Sequence, residues 1–204
     1  MRRFSLLFSS AAILFAPMMA SANGFETTIE APVATSVKIE VSLSEDLAHR
    51  ANNLPEKLRD RGSSSARGLR SGFSSNGYYG DKDLANLVEE VEEELTHDLT
   101  KQGITVSEDA ATVLRVTLED VRNNRPTFEQ LSREPALSMQ SVSLGGAELS
   151  GELIDASGES LGTVEYEWFE QSFQDLTFAR ASGVWSDANR AISRFSKKTA
   201  KAMS

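Results

Sequence analysis

AELSGELIDASGESLGTVEYEW, residues 147–168, decides the fold class. Ala147, Leu149, Gly151 and Leu153 alternate with Glu148, Ser150 and Glu152, and then Val164, Tyr166 and Trp168 alternate with Thr163, Glu165 and Glu167. A period of two places one set on an apolar face and the other on a wet face, which describes two half-buried strands. Asp155-Ala-Ser-Gly-Glu-Ser160 between them is turn chemistry, so the pair is predicted to be an antiparallel hairpin.

Upstream, Leu114, Val116 and Leu118 alternate with Arg115, Thr117 and Glu119 in a third strand, and Val37, Ile39 and Val41 alternate with Lys38, Glu40 and Ser42 in a fourth. Ile104 to Val106 is a candidate fifth. Helices surround them. Leu84, Leu87, Val88, Val91, Leu95 and Leu99 form one apolar stripe from the N-cap candidate Asp81 to the stop candidate Gly103, with Glu89, Glu90, Glu92, Glu93 and Glu94 on the other side. Ser42-Leu-Ser-Glu45 has capping-box spacing ahead of Leu47, Ala51, Leu54 and Leu58, a second helix broken by Pro55. A third helix, 186–202, sets Ala188, Ala191, Ile192, Phe195 and Thr199 against Arg190, Arg194, Lys197, Lys198 and Lys201. The expected architecture is α+β: an antiparallel or mixed sheet of about four to five strands, with about three helices mainly on one face. The acidic and basic helices are expected to lie side by side.

Residues 1–22 read as a secretory signal peptide. Arg2 and Arg3 precede an apolar run that ends in Ala20-Ser-Ala22, the pattern of an exported and cleaved leader. Its continuous apolar part, Ala11 to Ala20, is shorter than the span a bilayer core requires. The expected mature chain, 23–204, is then one domain with enough length to bury a core. The 21 Lys and Arg against 30 Asp and Glu give −9, and loss of Arg2 and Arg3 takes the balance to −11. So acidic a chain repels phosphate backbones, which argues against nucleic acid as a partner. The absence of cysteine excludes disulfides, thiolate metal sites, thiol nucleophiles and a lipid-bearing N-terminal cysteine. The expected location is the bacterial periplasm.

Chemistry-bearing patterns are sparse. Glu94 and His97 have the i, i+3 spacing of two-iron helix bundles, but Asp46 and His49 are only an approximate second copy, so a solvated acidic face is the better reading. Glu165 with Glu167, and Glu148 with Glu152, could serve glycoside hydrolysis only from a cleft, whereas alternating glutamates on a strand ordinarily mark its wet face. No G-x-S-x-G elbow and no phosphate-binding glycine loop occurs, and Gly145-Gly146 reads as a bulge or close backbone approach. No catalytic residue, metal or cofactor is assigned.

Two long aperiodic stretches carry the binding candidates. The first, 62–80, is rich in Gly and Ser and offers Arg67 and Arg70 for an anion, with Phe73, Tyr78 and Tyr79 as apolar area. The second, 123–140, offers Arg125, Phe128 and Arg133. The basic helix 186–202 allows at most peripheral contact with a membrane, and its apolar side is expected to dock on the sheet.

Val116-Thr-Leu-Glu-Asp-Val121, Asn124-Arg-Pro126, Ser143-Leu-Gly-Gly-Ala147, Glu152-Leu-Ile-Asp155 with Gly158 and Leu161-Gly162, and Trp185 opening a last helix with Ala188 and Phe195 follow one another over about residues 84–204. This run resembles a group of uncharacterised gram-negative envelope proteins, many of them lipoproteins. The chain departs from them in lacking the lipid-bearing cysteine. The resemblance implies an envelope location and an α+β fold, and supplies no activity. The expected function is therefore a non-enzymatic periplasmic protein that binds another envelope protein or an envelope component through the two loops and the exposed sheet edge. The alternatives are a glutamate-dependent hydrolase of a cell-wall or carbohydrate substrate and a carrier of an apolar ligand.

Overall fold

The computed structural model describes residues 24–30, 35–55, 73–171 and 183–204. Among the described residues the order is β1 (Phe25–Thr27), β2 (Ser36–Leu43), α1 (Glu45–His49), α2 (Asp81–Lys101), β3 (Thr105–Val106), β4 (Val113–Arg122), α3 (Phe128–Arg133), β5 (Gly146–Ile154), β6 (Ser160–Phe169) and α4 (Ser186–Met203). The strands form one mixed sheet in the order β1-β6-β5-β4-β2-β3. The α+β class and the mixed sheet match expectation, but the described residues hold six strands and four helices. β1 lies in a stretch without period-two patterning and forms because it pairs antiparallel with β6, Phe25 facing Tyr166. α3 lies inside the stretch expected to be irregular.

β5 and β6 pair antiparallel with Leu149 opposite Tyr166 and Gly151 opposite Val164, as the alternation requires. β4 joins β5 antiparallel, whereas β2 runs parallel to β4, Ile39 beside Leu114 and Val41 beside Val116. A parallel pair needs a long crossover, and the connection containing α2 supplies it. A register shift between Leu118 and Asp120 interrupts the β4–β5 ladder. Glu119 is the extra residue, so Asp120 sits opposite Glu148 on the outer face while Val121 returns to the core opposite Ala147.

α2 and α4 cover one face of the sheet. Leu84, Leu87, Val91, Leu95 and Leu99 of α2, and Ala188, Ala191, Ile192, Phe195, Ala200 and Met203 of α4, pack with Leu114, Val116, Leu118, Leu149, Leu153 and Val164 in one core. The two helices do lie side by side, for a different reason than charge. Burying one such large side chain contributes about 1.5–3 kcal/mol, against about 0–1 kcal/mol for an exposed ion pair, so the apolar stripes dominate. The first helix is shorter than its spacing suggested: α1 ends at His49, and its N-cap is Ser44, which accepts from the Leu47 N–H at 3.2 Å. Leu58 and the expected leader lie outside the described residues.

Candidate functional site

The C-terminal ends of β2 and β4 carry the segments 44–55, 73–80 and 123–145, which meet the N-terminal ends of α2 and α4. Residues 78–80 run beside 50–53, with the Tyr78, Tyr79 and Gly80 N–H groups donating to the carbonyls of Asn53, Arg50 and Ala51 at 3.2, 3.2 and 2.8 Å. Tyr78 has a φ of 54°, a left-handed conformation that costs an ordinary residue about 1–2 kcal/mol. Two contacts hold it there: its carbonyl accepts from the Thr127 hydroxyl at 3.0 Å, and the Arg133 guanidinium lies 4.8 Å from its ring centroid.

Gln130 joins the two loops. Its side chain is buried on α3, where Oε1 accepts from Asn123 Nδ2 at 2.6 Å and from the Thr127 N–H at 3.1 Å. Nε2 donates to the Gly77 carbonyl at 2.9 Å and, at 3.5 Å, to that of Phe73. Thr127 and Gln130 also form a capping box that starts α3. A second knot ties this region to α4. Asn124 Nδ2 donates to Asp187 Oδ2 at 2.6 Å, while its Oδ1 accepts from the Asp187 N–H at 2.8 Å. The Gly145 N–H reaches the same carboxylate at 3.3 Å. A Cβ on Gly145 would stand 2.6 Å from Asn124 Oδ1 and 2.8 Å from Asp187 Cβ, so only glycine fits this approach.

Above these knots lies an open groove of about 510 Å³, lined by Asp83, Arg125, Pro126, Thr127, Phe128, Leu131, Met139, Gln140 and Val184. Phe128 is 82% exposed and Met139 74% exposed. A large apolar side chain left in water forgoes about 1.5–3 kcal/mol of burial, and here two do so in the lining of one groove. The charged groups of the groove are engaged: Asp83 Oδ1 accepts from Trp185 Nε1 at 2.8 Å, and Arg125 Nη1 donates to the Gln140 carbonyl at 2.8 Å, closing the loop over the groove.

The candidates read from sequence separate into three groups. Arg125, Tyr78, Phe128 and Arg133 are brought together around α3, with Arg133 also 2.9 Å from Glu129. Phe73 and Tyr79, expected as exposed apolar area, are instead buried. Tyr79 packs edge-on against Trp185, at 5.5 Å between centroids, and its hydroxyl lies 2.7 Å from the Ser74 carbonyl and 3.0 Å from that of Val121. Burial raises the Tyr79 hydroxyl pKa well above the ordinary phenol value. Arg67 and Arg70 lie outside the described residues. Thr127 and Gln130 are not among those candidates, although their T-x-x-Q spacing is a capping signature, and the pairing of Asn124 with Asp187, 63 positions away, has no local signal.

The glutamates are elsewhere. Glu148 faces Asp120 and Glu167 across neighbouring strands, and Glu165 faces Glu26, all on the sheet face opposite α2 and α4. Partial burial, then the Glu167, Asp120 and Glu119 carboxylates, push Glu148 up to about 6, with Arg122 opposing them. None of these acids lines the groove. His97 is exposed beside Asp98, 3.1 Å away, and among the described residues no three His, Asp or Glu side chains are placed to hold a metal. No described helix is long and apolar enough to cross a membrane.

No family model and no curated protein sequence matches the chain. Among solved structures it is similar to the PelC dodecamer from Paraburkholderia phytofirmans, at 12% identity over 89% of this chain and 96% of that one, with a TM-score of 0.45. A minor lipoprotein from Acinetobacter baumannii aligns at 13% identity over 84% and 91%, with a TM-score of 0.35. A protein from Xanthomonas campestris assigned to family DUF330 aligns at 10% identity over 93% of each chain, with a TM-score of 0.44. At these scores the likenesses carry no inference about activity or partner.

Proposed function

We propose that the protein is a non-enzymatic, exported envelope protein that binds another envelope protein or envelope component through the groove beside α3. The observation that supports this is the exposure of Phe128 and Met139 in the lining of one groove, together with Pro126, Leu131 and Val184. Buried hydrogen bonds from Gln130 and between Asn124 and Asp187 tie the segments that line the groove to one another, so the exposed side chains are presented on a braced base and binding loses little ordering entropy. The partner element that fits is a segment carrying a large apolar side chain, which would take the place of water against Phe128 and Met139. The groove's acid and base are both held in hydrogen bonds, which leaves them poorly placed to act as a general acid or base. The layer between sheet and helices is filled by fully buried leucines, Ile192 and Phe195, which favours this reading over a carrier of apolar ligands. β3 covers only Ser36 and Val37 of β2, so the described sheet edge continues along residues 38–43 of β2, but the large apolar side chains left most exposed, Phe128 and Met139, line the groove and not that edge, so the groove is preferred as the contact.

The test is a photo-reactive side chain placed at position 128 in the producing cell, compared with one at the exposed Glu92 of α2. A discrete crosslinked product from position 128 that is lost on Met139→Ser supports the reading. The same product from both positions, or none from 128, overturns it.

A further inference from the structure

Over Ser186–Met203, α4 carries five cations and a single acid, in a chain whose acids outnumber its Lys and Arg by 30 to 21. That acid, Asp187, is turned inward and 1% exposed. The apolar side of the helix, including Ala191, Ile192, Phe195 and Met203, is buried in the core. Arg194, Lys197, Lys198 and Lys201 stand exposed on the other side. Among the described residues none of these four forms an ion pair, although Lys197 reaches the Ser193 hydroxyl at 3.0 Å. By contrast, Lys38, Arg50, Arg115, Arg122, Arg133 and Arg190 each pair with a carboxylate.

Two rings organise them. Arg190 and Arg194 lie 5.6 and 4.8 Å from the Trp168 centroid, and Lys198 lies 5.3 Å from that of Phe25. The rings fix the stems of the cations along the β6–β1 flank of the helix without neutralising their charge. We propose that this face of α4 rests on an anionic phospholipid surface, with Arg194, Lys197, Lys198 and Lys201 meeting the phosphate-bearing headgroups.

The arrangement favours a surface over a single bound anion. At about 1.5 Å per residue, Arg194 to Lys201 spreads the charges over roughly 10 Å in a row, whereas a lone phosphate is held by donors that converge on one point. Because the apolar side of α4 is already buried, nothing on the helix is free to insert among acyl chains, and binding is electrostatic and salt-sensitive. The acidic residues Glu26, Glu148, Glu165 and Glu167 occupy the far side of the sheet. A helix diameter alone is about 10–12 Å, which exceeds the screening length of about 8 Å at physiological salt, so those acids are screened from the surface; the glutamates of α2 lie beside α4 on its other flank, and the surface meets the β6–β1 flank turned away from them. Partner binding at the groove is a separate property, since neither set of residues includes a member of the other.

The test is co-sedimentation of the protein, as the cell produces it, with vesicles of phosphatidylglycerol mixed with phosphatidylcholine and with vesicles of phosphatidylcholine alone. Binding to the anionic vesicles alone, falling as salt rises, is expected. Each exposed cation near such a surface changes partition about fivefold, so Lys197→Ala with Lys201→Ala weakens it about 30-fold. The same loss of charge at Lys82 and Arg115, away from the patch, leaves it within about twofold. Equal losses for the two double variants would mean that net charge alone acts, and would overturn the proposal. So would displacement by inorganic phosphate beyond the effect of chloride at equal ionic strength, which would identify a free anion, or salt-sensitive self-association without vesicle binding, which would identify a second copy as the partner.

Discussion

Gln130→Ala and Phe128→Ala, two positions apart on one short helix, should have opposite consequences. Gln130 is 3% exposed and its amide serves four groups, whereas Phe128 is 82% exposed. Truncating Gln130 leaves the Thr127 N–H and the Gly77 carbonyl without the partners they have at 3.1 and 2.9 Å, while Asn123 Nδ2 keeps its 2.7 Å bond to the Arg125 carbonyl. Two orphaned buried groups at about 1–3 kcal/mol each give a loss of about 2–6 kcal/mol. Phe128→Ala removes area that is already in water, and its effect on stability should stay within about 0.5 kcal/mol. Urea titration of both variants measures the difference directly through the midpoint at constant slope. Hydrogen exchange adds a local test, because the amides of residues 78–80 should lose protection in the Gln130 variant alone. If Gln130→Ala is as stable as Phe128→Ala, the two loops are not joined through that amide, and the rigid base assigned to the groove is wrong.

Two further outcomes follow from the same geometry. Tyr79→Phe keeps the ring against Trp185 but leaves the Ser74 and Val121 carbonyls without the hydroxyl, for a loss of about 1–2 kcal/mol by denaturation, where an unchanged midpoint would place that hydroxyl in water. Glu148→Gln tests the acidic sheet face through pH. The folded state holds the Glu148 proton up to about 6, above the ordinary 4.5 of the unfolded chain, so wild-type stability falls as pH rises through that interval and the variant is spared the fall. Discounted for solvent screening of a half-exposed group, the variant should be more stable at neutral pH by about 1 kcal/mol and equal to wild type below pH 4.5. A difference curve that is flat across the interval, or opposite in sign, contradicts the assignment.

Much of the fold was legible because it depends on local pattern. Alternation in 147–154 and 163–168 with turn residues between them needs no distant partner to become a hairpin, and the stripe from Leu84 to Leu99 identifies α2 in the same way. The α4 periodicity was equally plain, since its cations and alanines segregate at helical spacing. One irregularity could have been read: Glu119-Asp120 puts two polar residues in succession between Leu118 and Val121, which is how a bulge looks in sequence. The T-x-x-Q spacing of Thr127 and Gln130 was a second missed signal, hidden because its helix is six residues long.

What the chain determined by itself is its periodicity: which residues face inward, which segments are strands or helices, and where charge of each sign gathers. Tertiary structure alone decided the parallel seating of β2 on β4, the recruitment of β1 across about 140 positions, the burial of Phe73 and Tyr79, and the meeting of Asn124 with Asp187. The physical reason is range. Side-chain periodicity acts over a few residues, whereas a buried hydrogen bond or a strand pairing between distant segments depends on every element that brings them together.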